Sequence, residues 1–484
     1  MMKHNTQSVF SSFIWRFMER MGAQGVNLVV SIILARLLAP EVYGTVALVN
    51  VFITLLQVFV ESGMGTALIQ KKDADDLDFS TVFYFNVVMC VALYAIMFFA
   101  APWIAGFYEM PELTAIVRVL SLILVVAGVR GIQQSYVSKH MLFKRFFFAT
   151  LGGTLISAAV GIVMAYKGFG VWALVAQNLV NSAVSTLILW ATVQWRPKRM
   201  FSLQRLKALF SYGWKLLVSS LLETGYIELR QLIIGKLYSA NDLAFYNKGQ
   251  QLPNFAVTNI NVSINSVLLP TMSAEQDQNT RIKAMTRRAI KVSTYLMMPI
   301  MVGLAVCAES LIRILLTETW LPCVLFLRIY CVTYAFHPIH TANLSAIKAM
   351  GRSDLYLRLE IIKKVMGLVL LFSTIFISVE AMAYSMLAST FISQIINSWP
   401  NKKLLNYSYL EQVKDMLPQV LISCAMGAVV YCVTFLHLPD IMTLLIQVPL
   451  GAVIYIAASW LFKIDSFTYL LGILKNMLPK KMKG

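Results

Sequence analysis

Charged residues are scarce in this chain. Only 13% of its 484 residues are Asp, Glu, Lys or Arg, whereas 58% are hydrophobic. Soluble domains carry about 25% charged and about 45–50% apolar residues, so this composition excludes a soluble protein and indicates a membrane protein. One membrane span with its connection takes roughly 30 to 35 residues. The length is therefore filled by about fourteen spans, which leaves no room for a sizeable extramembrane domain.

Acidic residues are the scarcer kind of charge. The chain has 23 Asp and Glu against 41 Lys and Arg, a formal net charge of +18. In a soluble chain such an excess suggests a nucleic-acid partner. That interpretation needs a basic soluble domain, and the pattern of apolar segments along the chain leaves no stretch for one. We therefore expect no nucleic acid among the partners.

Cysteine and catalytic motifs are also sparse. The six cysteines lie scattered in apolar segments without a CxxC pair, so neither a disulfide framework nor a metal site is indicated. No P-loop, GxSxG or HExxH motif is present, so we expect no cofactor and no ATP bound by this chain. His337 and His340 flank Pro338 within an apolar segment. They suggest either a proton relay or metal pair, or a helix kink with packed histidines, and the second is favoured because no third ligand is near.

Apolar stretches of helix length recur along the whole chain and predict an all-α polytopic membrane protein. The first of them is interrupted by Arg16, Glu19 and Arg20, which is too charged for a signal peptide, so we expect it to be retained as a span. The predicted spans are 9–38, 42–69, 79–107, 113–138, 147–166, 170–194, 208–237, 243–272, 292–308, 320–347, 365–379, 381–400, 416–436 and 441–462.

Basic residues are concentrated in alternate connections, which predicts the orientation. Eight segments hold 29 of the 41 Lys and Arg, and Lys and Arg are enriched in cytoplasmic loops. Both termini are therefore predicted to be cytoplasmic. The same segments hold 11 acidic residues, so they account for the whole net charge of +18. The eight segments are 1–8, 70–78, 139–146, 196–207, 275–291, 348–364, 402–415 and 463–484.

The chain also repeats itself at a spacing near 200 residues. IILARLLAPEVYG at 32–44 aligns with LIIGKLYSANDLA at 232–244, which indicates internal duplication. We predict two pseudo-symmetric six-helix lobes with the same orientation, over 1–200 and 201–405. Two additional transmembrane helices follow at 406–463. The tail at 464–484 is predicted to be cytoplasmic and basic, and either an amphipathic helix on anionic lipid or poorly ordered.

Polar residues form stripes on four of the predicted spans. Their spacing of 3 or 4 residues places each stripe on one helix face. Unsatisfied polar groups in hydrocarbon cost several kcal/mol each, so these faces must be wet or packed against protein; amides that simply join helices are the alternative. The stripes consist of Arg16, Arg20, Gln24, Asn27 and Ser31; Asn50, Thr54, Gln57 and Glu61; Lys215, Ser219, Glu223, Tyr226 and Arg230; and Asn247, Gln251, Asn254, Thr258, Asn261 and Asn265.

Cations prevail among the charges inside the spans, with Arg16, Arg20, Arg118, Arg130, Lys215, Arg230 and Arg328 against Glu19, Glu61, Glu223 and Glu228. Snorkelling of Arg16 and structural ion pairs, such as Arg20 with Glu61 or Arg230 with Glu223, are alternatives to a cavity lining. A cationic cavity favours an anionic substrate, because ligand charge compensates buried like charge. Asn, Gln and Ser add hydrogen-bonding groups suited to sugars. The pattern therefore predicts a phosphate-bearing saccharide as the ligand.

Several strings resemble the Wzx-type polysaccharide transporters, the lipid-linked O-antigen and exopolysaccharide flippases of the MOP superfamily. That superfamily also contains the MATE drug exporters and the lipid II flippases. The resemblance covers essentially the full length. It rests on ARLLAPEVYG (35–44), ESGMGTALIQKK (61–72), GFGVWALVAQ (168–177), VLLPTMSAEQDQNTRIK (267–283), LTETWLPCVLFL (316–327) and AIKAMGRSDLYLRLEIIKK (346–364).

This resemblance implies a multi-pass protein of a bacterial inner membrane. Its two six-helix lobes would surround a central cavity. It implies transfer of an undecaprenyl-pyrophosphate-linked oligosaccharide (an O-antigen, capsule or exopolysaccharide repeat unit) to the outer leaflet by alternating access. By position, the cationic cavity residues of the family correspond to Arg16, Arg20, Lys215 and Arg230.

Gln24, Asn27, Glu223, Asn254 and Asn261 complete the predicted lining. Coupling could use the membrane potential, or H⁺ or Na⁺ at Glu61 or Glu223. Membrane lipids and other polysaccharide-assembly proteins are the further partners expected, and the chain is predicted to be a monomer. Two alternatives stay open: a MATE-like multidrug or ion antiporter, and a membrane-integral glycan polymerase, ligase or glycosyltransferase.

Overall fold

The computed structural model describes residues 6–61, 64–71, 73–275 and 278–477, and side chains from residue 22 onward except 61, 70, 212, 215, 262–267, 269, 270, 274, 353 and 473–477. Within these residues the chain is almost entirely helical and has no strand. It divides into two compact units, 1–244 and 245–484.

The first unit contains nine helices within its described residues. They are α1 (Thr6–Leu37), α2 (Pro40–Glu61), α3 (Met64–Gln70), α4 (Asp76–Tyr108), α5 (Leu113–Leu120), α6 (Leu122–Lys139), α7 (Phe143–Tyr166), α8 (Val171–Thr192) and α9 (Leu203–Leu237). Leu68, Val82, Ile132 and Val193 are buried in the core that joins α3, α4, α6 and the segment after α8. By its contacts α9 belongs to this unit, and the division into repeats at 200/201 stays a prediction.

The second unit begins within α10 (Ala240–Ala274). It continues with α11 (Asn279–Val306), α12 (Ala308–Leu315), α13 (Cys323–Ala335), α14 (His337–Ala349), α15 (Ser353–Phe372), α16 (Val379–Leu404), α17 (Tyr409–Cys432), α18 (Asp440–Leu461) and α19 (Asp465–Met477). The two additional helices α17 and α18 pack on α11, where the Tyr455 hydroxyl donates to the Tyr295 carbonyl at 2.8 Å. The residues after Ile464 form helix α19, and its binding to anionic lipid stays a prediction.

Ten segments of the described chain are long and apolar enough to cross a membrane. Four further long helices, α1, α9, α10 and α15, are not among these segments, so the number of fourteen spans stays a prediction. These four carry the polar stripes or a cluster of charges, which lowers their hydropathy. The fold class is therefore confirmed as a polytopic all-α membrane protein.

The span predicted at 365–379 was misplaced. The sequence suggested a loop at 348–364 followed by a helix at 365–379, whereas α15 runs over Ser353–Phe372 and 373–378 form the connection. Charged residues suggested the loop, but Glu360 and Lys363 pair at 2.6 Å across one turn of the helix. Such an i, i+3 pair stabilises a helix, so the charges extend α15 instead of ending it.

Candidate functional site

Four of the predicted site residues lie outside the part of the chain whose side chains are described. Arg16 and Arg20 lie on α1, Glu61 ends α2, and Lys215 lies on α9. The helices that carry them are present as predicted. The roles of these four side chains stay predictions.

In the first unit, the described side chains of the α1 and α2 stripes are more exposed than amides that join two helices would be. Gln24 is half-buried and Asn27 is exposed on α1. Asn50, Thr54 and Gln57 are half-buried on α2. An amide that only joins two helices would be buried with its partner, so Asn27 does not fit that alternative.

The α9 stripe has the same character. Glu223 is exposed, whereas Tyr226 and Arg230 are half-buried. Glu228 is off the stripe and accepts a hydrogen bond from the Gln231 amide at 2.6 Å. The helix therefore presents an acidic and a basic side chain two turns apart on one face.

In the second unit, the α10 stripe divides into an open and a packed part. Asn254 is exposed and its amide oxygen accepts from the Thr258 hydroxyl at 3.4 Å. Asn261 is buried, and its amide nitrogen lies 2.7 Å from Nδ1 of His337. Asn254 remains a candidate for the lining, whereas Asn261 joins α10 to α14.

The histidine pair forms a packed kink. The chain breaks at Phe336 between α13 and α14, with Pro338 in the first turn of α14. His337 bonds to Asn261, and the ring of His340 bonds to Asn397 on α16. Among the described residues no group of three metal-ligating side chains occurs. The interpretation of a kink with packed histidines is therefore the one that the geometry supports.

Two of the arginines counted among the interior cations are engaged by neighbouring helices. Arg118 donates from Nε to the Phe98 carbonyl at 3.2 Å and its guanidinium lies 4.4 Å from the centre of the Phe98 ring. Arg328 donates in the same way to the Ala305 carbonyl at 3.2 Å. Both contacts satisfy a helix carbonyl and give these arginines a structural role. The candidate lining therefore depends on α1 and α9.

Sequence reasoning missed a buried polar cluster in the second unit. The Asn343 amide of α14 donates to Gln412 of α17 at 2.7 Å and to Ser398 of α16 at 3.2 Å, and its oxygen accepts from Asn401 at 2.6 Å. All four side chains are fully buried. The signal was present, because Gln394, Asn397 and Asn401 repeat the spacing of 3 and 4 that marks the stripes.

Comparison with known proteins identifies the fold. The lipid II flippase MurJ in its inward closed conformation superposes with a TM-score of 0.76 at 16% identity, over 93% of this chain and 99% of MurJ. This likeness shows that the chain has the same fold as MurJ.

Sequence comparison identifies the family. The profile described as polysaccharide biosynthesis protein matches residues 33–325, so the chain belongs to this family. The teichuronic acid biosynthesis protein TuaB of Bacillus subtilis (strain 168) is 25% identical over 417 residues, 83% of this chain and 84% of TuaB. The lipopolysaccharide biosynthesis protein WzxC of Escherichia coli (strain K12) is 22% identical over 420 residues, 84% of this chain and 85% of WzxC.

These findings confirm the resemblance to the Wzx-type polysaccharide transporters. The chain is a membrane transporter of the flippase type and not an enzyme. Neither the multidrug antiporter nor the glycan polymerase, ligase or glycosyltransferase is better supported.

Proposed function

We propose that this protein moves an undecaprenyl-pyrophosphate-linked oligosaccharide, the repeat unit of an O-antigen, capsule or exopolysaccharide, across a bacterial inner membrane. The head group passes through a cationic cavity by alternating access while the prenyl chain stays in lipid. Membership of the polysaccharide biosynthesis family is the observation that carries this proposal.

The charge on α9 supports an anionic head group. Arg230 is half-buried seven residues before the end of a 35-residue helix. On insertion scales an arginine facing lipid at a helix centre costs about 2.5 to 3.5 kcal/mol. A water-filled cavity that receives a pyrophosphate removes this cost, because opposite charge compensates the guanidinium.

The open amides support a sugar ligand. Asn27 on α1 and Asn254 on α10 are exposed, although both lie on helices predicted to cross the membrane. Exposure to lipid would leave their donors and acceptors unsatisfied. Exposure to a water-filled cavity allows each amide to exchange hydrogen bonds between water and the hydroxyl groups of an oligosaccharide.

Energy for transport has two candidate sources. Moving one negative charge outward gains about 2.3 kcal/mol per 100 mV of membrane potential. Alternatively, Glu61 or the exposed Glu223 exchanges H⁺ or Na⁺ with the cavity. Replacing both Glu61 and Glu223 with Gln distinguishes the two, because transport driven by the potential alone requires neither carboxylate.

The test is the distribution of lipid-linked oligosaccharide between the two leaflets in cells that express Arg20→Ala or Arg230→Ala. We expect the oligosaccharide to accumulate in the cytoplasmic leaflet for both variants. Arg313→Ala is the matched control, because Arg313 is half exposed and pairs with Glu309 at 3.0 Å on the short helix α12. An unchanged distribution in both cavity variants would exclude the cationic lining.

A further inference from the structure

A cavity of about 700 Å³ lies in the second unit where α11, α17 and α18 meet the start of α19. Charged groups line one part of it and apolar side chains the other. The charged part is formed by Lys291, Lys414, Asp415, Lys463 and Asp465. None of these residues belongs to the proposed transport lining, so the cavity requires its own explanation.

The two carboxylates of this cavity already have cationic partners. Asp415 is nearly buried and bonds to Nε of Arg287 at 2.6 Å, while the Tyr407 hydroxyl donates to it at 2.8 Å. Asp465 accepts from Lys291 at 3.0 Å. The acidic groups are therefore neutralised within the protein.

Lys414 and Lys463 remain as the unneutralised charges of the cavity. Both side chains are exposed, and neither makes an ion pair with any residue whose side chain the structure describes. The cavity therefore offers two ammonium groups to an external anion.

The backbone at Lys463 supports a role for its side chain. Lys463 adopts φ 49°, the left-handed conformation at the end of α18. Glycine is the residue usually found at this position, because a Cβ is unfavourable there. The Lys463 N–H still bonds to the Trp460 carbonyl at 3.2 Å. A lysine at a position that favours glycine is explained if its ammonium group binds an anion.

The apolar part of the cavity can hold hydrocarbon. Leu417, Leu421 and Phe462 line it with exposed side chains, and Ala425 and Ile454 lie between them. Gln419 provides the amide in this lining, and its end lies 2.8 and 3.0 Å from the carbonyls of Met416 and Asp415, so the chemistry requires the amide nitrogen, as the donor, to face them. The cavity therefore has a cationic end and an apolar end, without the free amides that a sugar would require.

The position of the cavity matches the polar boundary of a membrane. Trp460 at the end of α18 is 73% exposed, and Tyr469 on α19 is also exposed. Trp, Tyr and Lys are enriched where hydrocarbon meets head groups. A lipid beside α18 would place its phosphate near Lys414 and Lys463, and its acyl chains along Leu417 and Leu421.

We propose that this cavity binds an anionic glycerophospholipid of the surrounding membrane, with its phosphate between Lys414 and Lys463. The site lies outside the transport lining and goes beyond the proposed transport function. Its ligand is a resident lipid and not the transported one.

Binding is tested by native mass spectrometry of the full-length protein in detergent, titrated separately with phosphatidylglycerol, phosphatidylethanolamine and undecaprenyl phosphate. The main variant combines Lys414→Gln with Lys463→Gly, which removes both charges and gives the left-handed position the residue that it favours. The control combines Lys402→Gln with Lys403→Gln, two exposed lysines at the end of α16. It removes the same charge elsewhere on the unit.

We expect the wild-type protein to prefer phosphatidylglycerol. Each lysine near an anionic head group contributes on the order of a fivefold change, so the main variant should weaken phosphatidylglycerol binding about 25-fold. Binding of phosphatidylethanolamine should change little, and the control should behave as the wild type. Ala425→Trp fills the apolar part and should weaken binding of both lipids while both lysines remain.

Three outcomes would overturn the proposal. The first is equal affinity of the wild-type protein for the two lipids. The second is an equal loss of phosphatidylglycerol binding in the main variant and the control. The third is a main variant that loses undecaprenyl phosphate but keeps phosphatidylglycerol, which would assign the cavity to the transported lipid. Because the measurement is of lipid binding alone, a failure of the proposed transport function would not alter it.

Discussion

At the scale of single residues, Asp78 at the start of α4 is the clearest example of a buried charge that organises its surroundings. Its side chain is fully buried and pairs with Lys71 at 2.5 Å and with Arg205 at 3.2 Å. The charges come from three separate segments of the first unit. Removing the carboxylate charge takes away the ion-pair partner of Lys71, whereas Arg205 keeps Asp75 at 3.5 Å.

Replacing Asp78 with Asn should therefore lower the free energy of unfolding by about 2–3 kcal/mol. The amide keeps the size of the side chain but not its charge. The midpoint of thermal unfolding in detergent measures the loss, which should be several degrees. Asp73→Asn is the control, because Asp73 is an exposed carboxylate on the same connection. Equal midpoints for the two variants would contradict the role assigned to Asp78.

The carboxylate of Asp75 should make the stability of the folded protein depend on pH. The backbone N–H of Asp78 donates to its carboxylate at 2.9 Å, and this bond lowers the pKa of Asp75 below its usual value. A carboxylate whose pKa is lowered by folding stabilises the protein above its unfolded pKa, about 3.9. This contribution is lost as the pH falls through the lower, folded value.

Asp75→Asn should therefore unfold at a lower temperature than the wild type at pH 7. The difference should shrink as the pH is lowered below about 4. Thermal unfolding of both proteins at a series of pH values measures this. A difference that grows toward acid would show the opposite sign and exclude the explanation.

At the scale of elements, two equivalent helix breaks lie in contact within the first unit. Helix α1 ends at Leu37 and α2 begins at Pro40, while α9 ends at Leu237 and α10 begins at Ala240. The offset of 200 residues supports the proposed duplication. Gly44 lies at the contact, because a Cβ placed on it would come within 1.8 Å of the Ala240 carbonyl oxygen.

Replacing Gly44 with Ala should destabilise the first unit by about 1–3 kcal/mol, because the added methyl group forces the two turns apart. Gly25→Ala is the control, since a Cβ there meets nothing within 4 Å. The unfolding midpoints of the two variants give the comparison. A Gly44 variant as stable as the Gly25 variant would show that the turns separate without cost.

The polar cluster around Asn343 joins α14, α16 and α17. Asn343→Leu removes the side-chain hydrogen bonds that the buried Asn401 and Gln412 amides make to Asn343, so we expect a loss of about 1–3 kcal/mol. Asn178→Leu is the control, because the Asn178 amide bonds only to the Leu174 carbonyl of its own helix among the hydrogen bonds of the described residues. Denaturant unfolding of the purified variants measures both losses. If Asn178→Leu lost more unfolding free energy than Asn343→Leu, the cluster would have no particular importance for stability.

At the scale of the whole molecule, the distribution of Lys and Arg predicts both termini on the cytoplasmic side. A fluorescent protein fused to the C-terminus should therefore fluoresce, and alkaline phosphatase fused there should be inactive. Phosphatase fused within the connection at 309–319 should be active. The reverse pattern of activities would invert the proposed topology and with it the direction of transport.

Much of the fold could be predicted from residue patterns. The hydropathy of α4 and the turn signals around Pro40 are local properties, so these elements were located within a few residues. The start of α15 was not, because Glu360 and Lys363 look like loop residues until their pairing on the helix is known. For the candidate site, the spacing of the α9 stripe was readable, but the exposure of its members was not.

The sequence alone determined the class of the molecule and its family, because composition, period and motif are properties of the chain itself. Tertiary structure decided which polar residues are open and which are packed. Asn254 and Asn261 lie on one stripe, but only Asn261 meets a histidine from another helix. It also decided that Lys414, distant in sequence from Lys463, faces the same cavity. Helix packing sets such neighbours, and no local pattern records them.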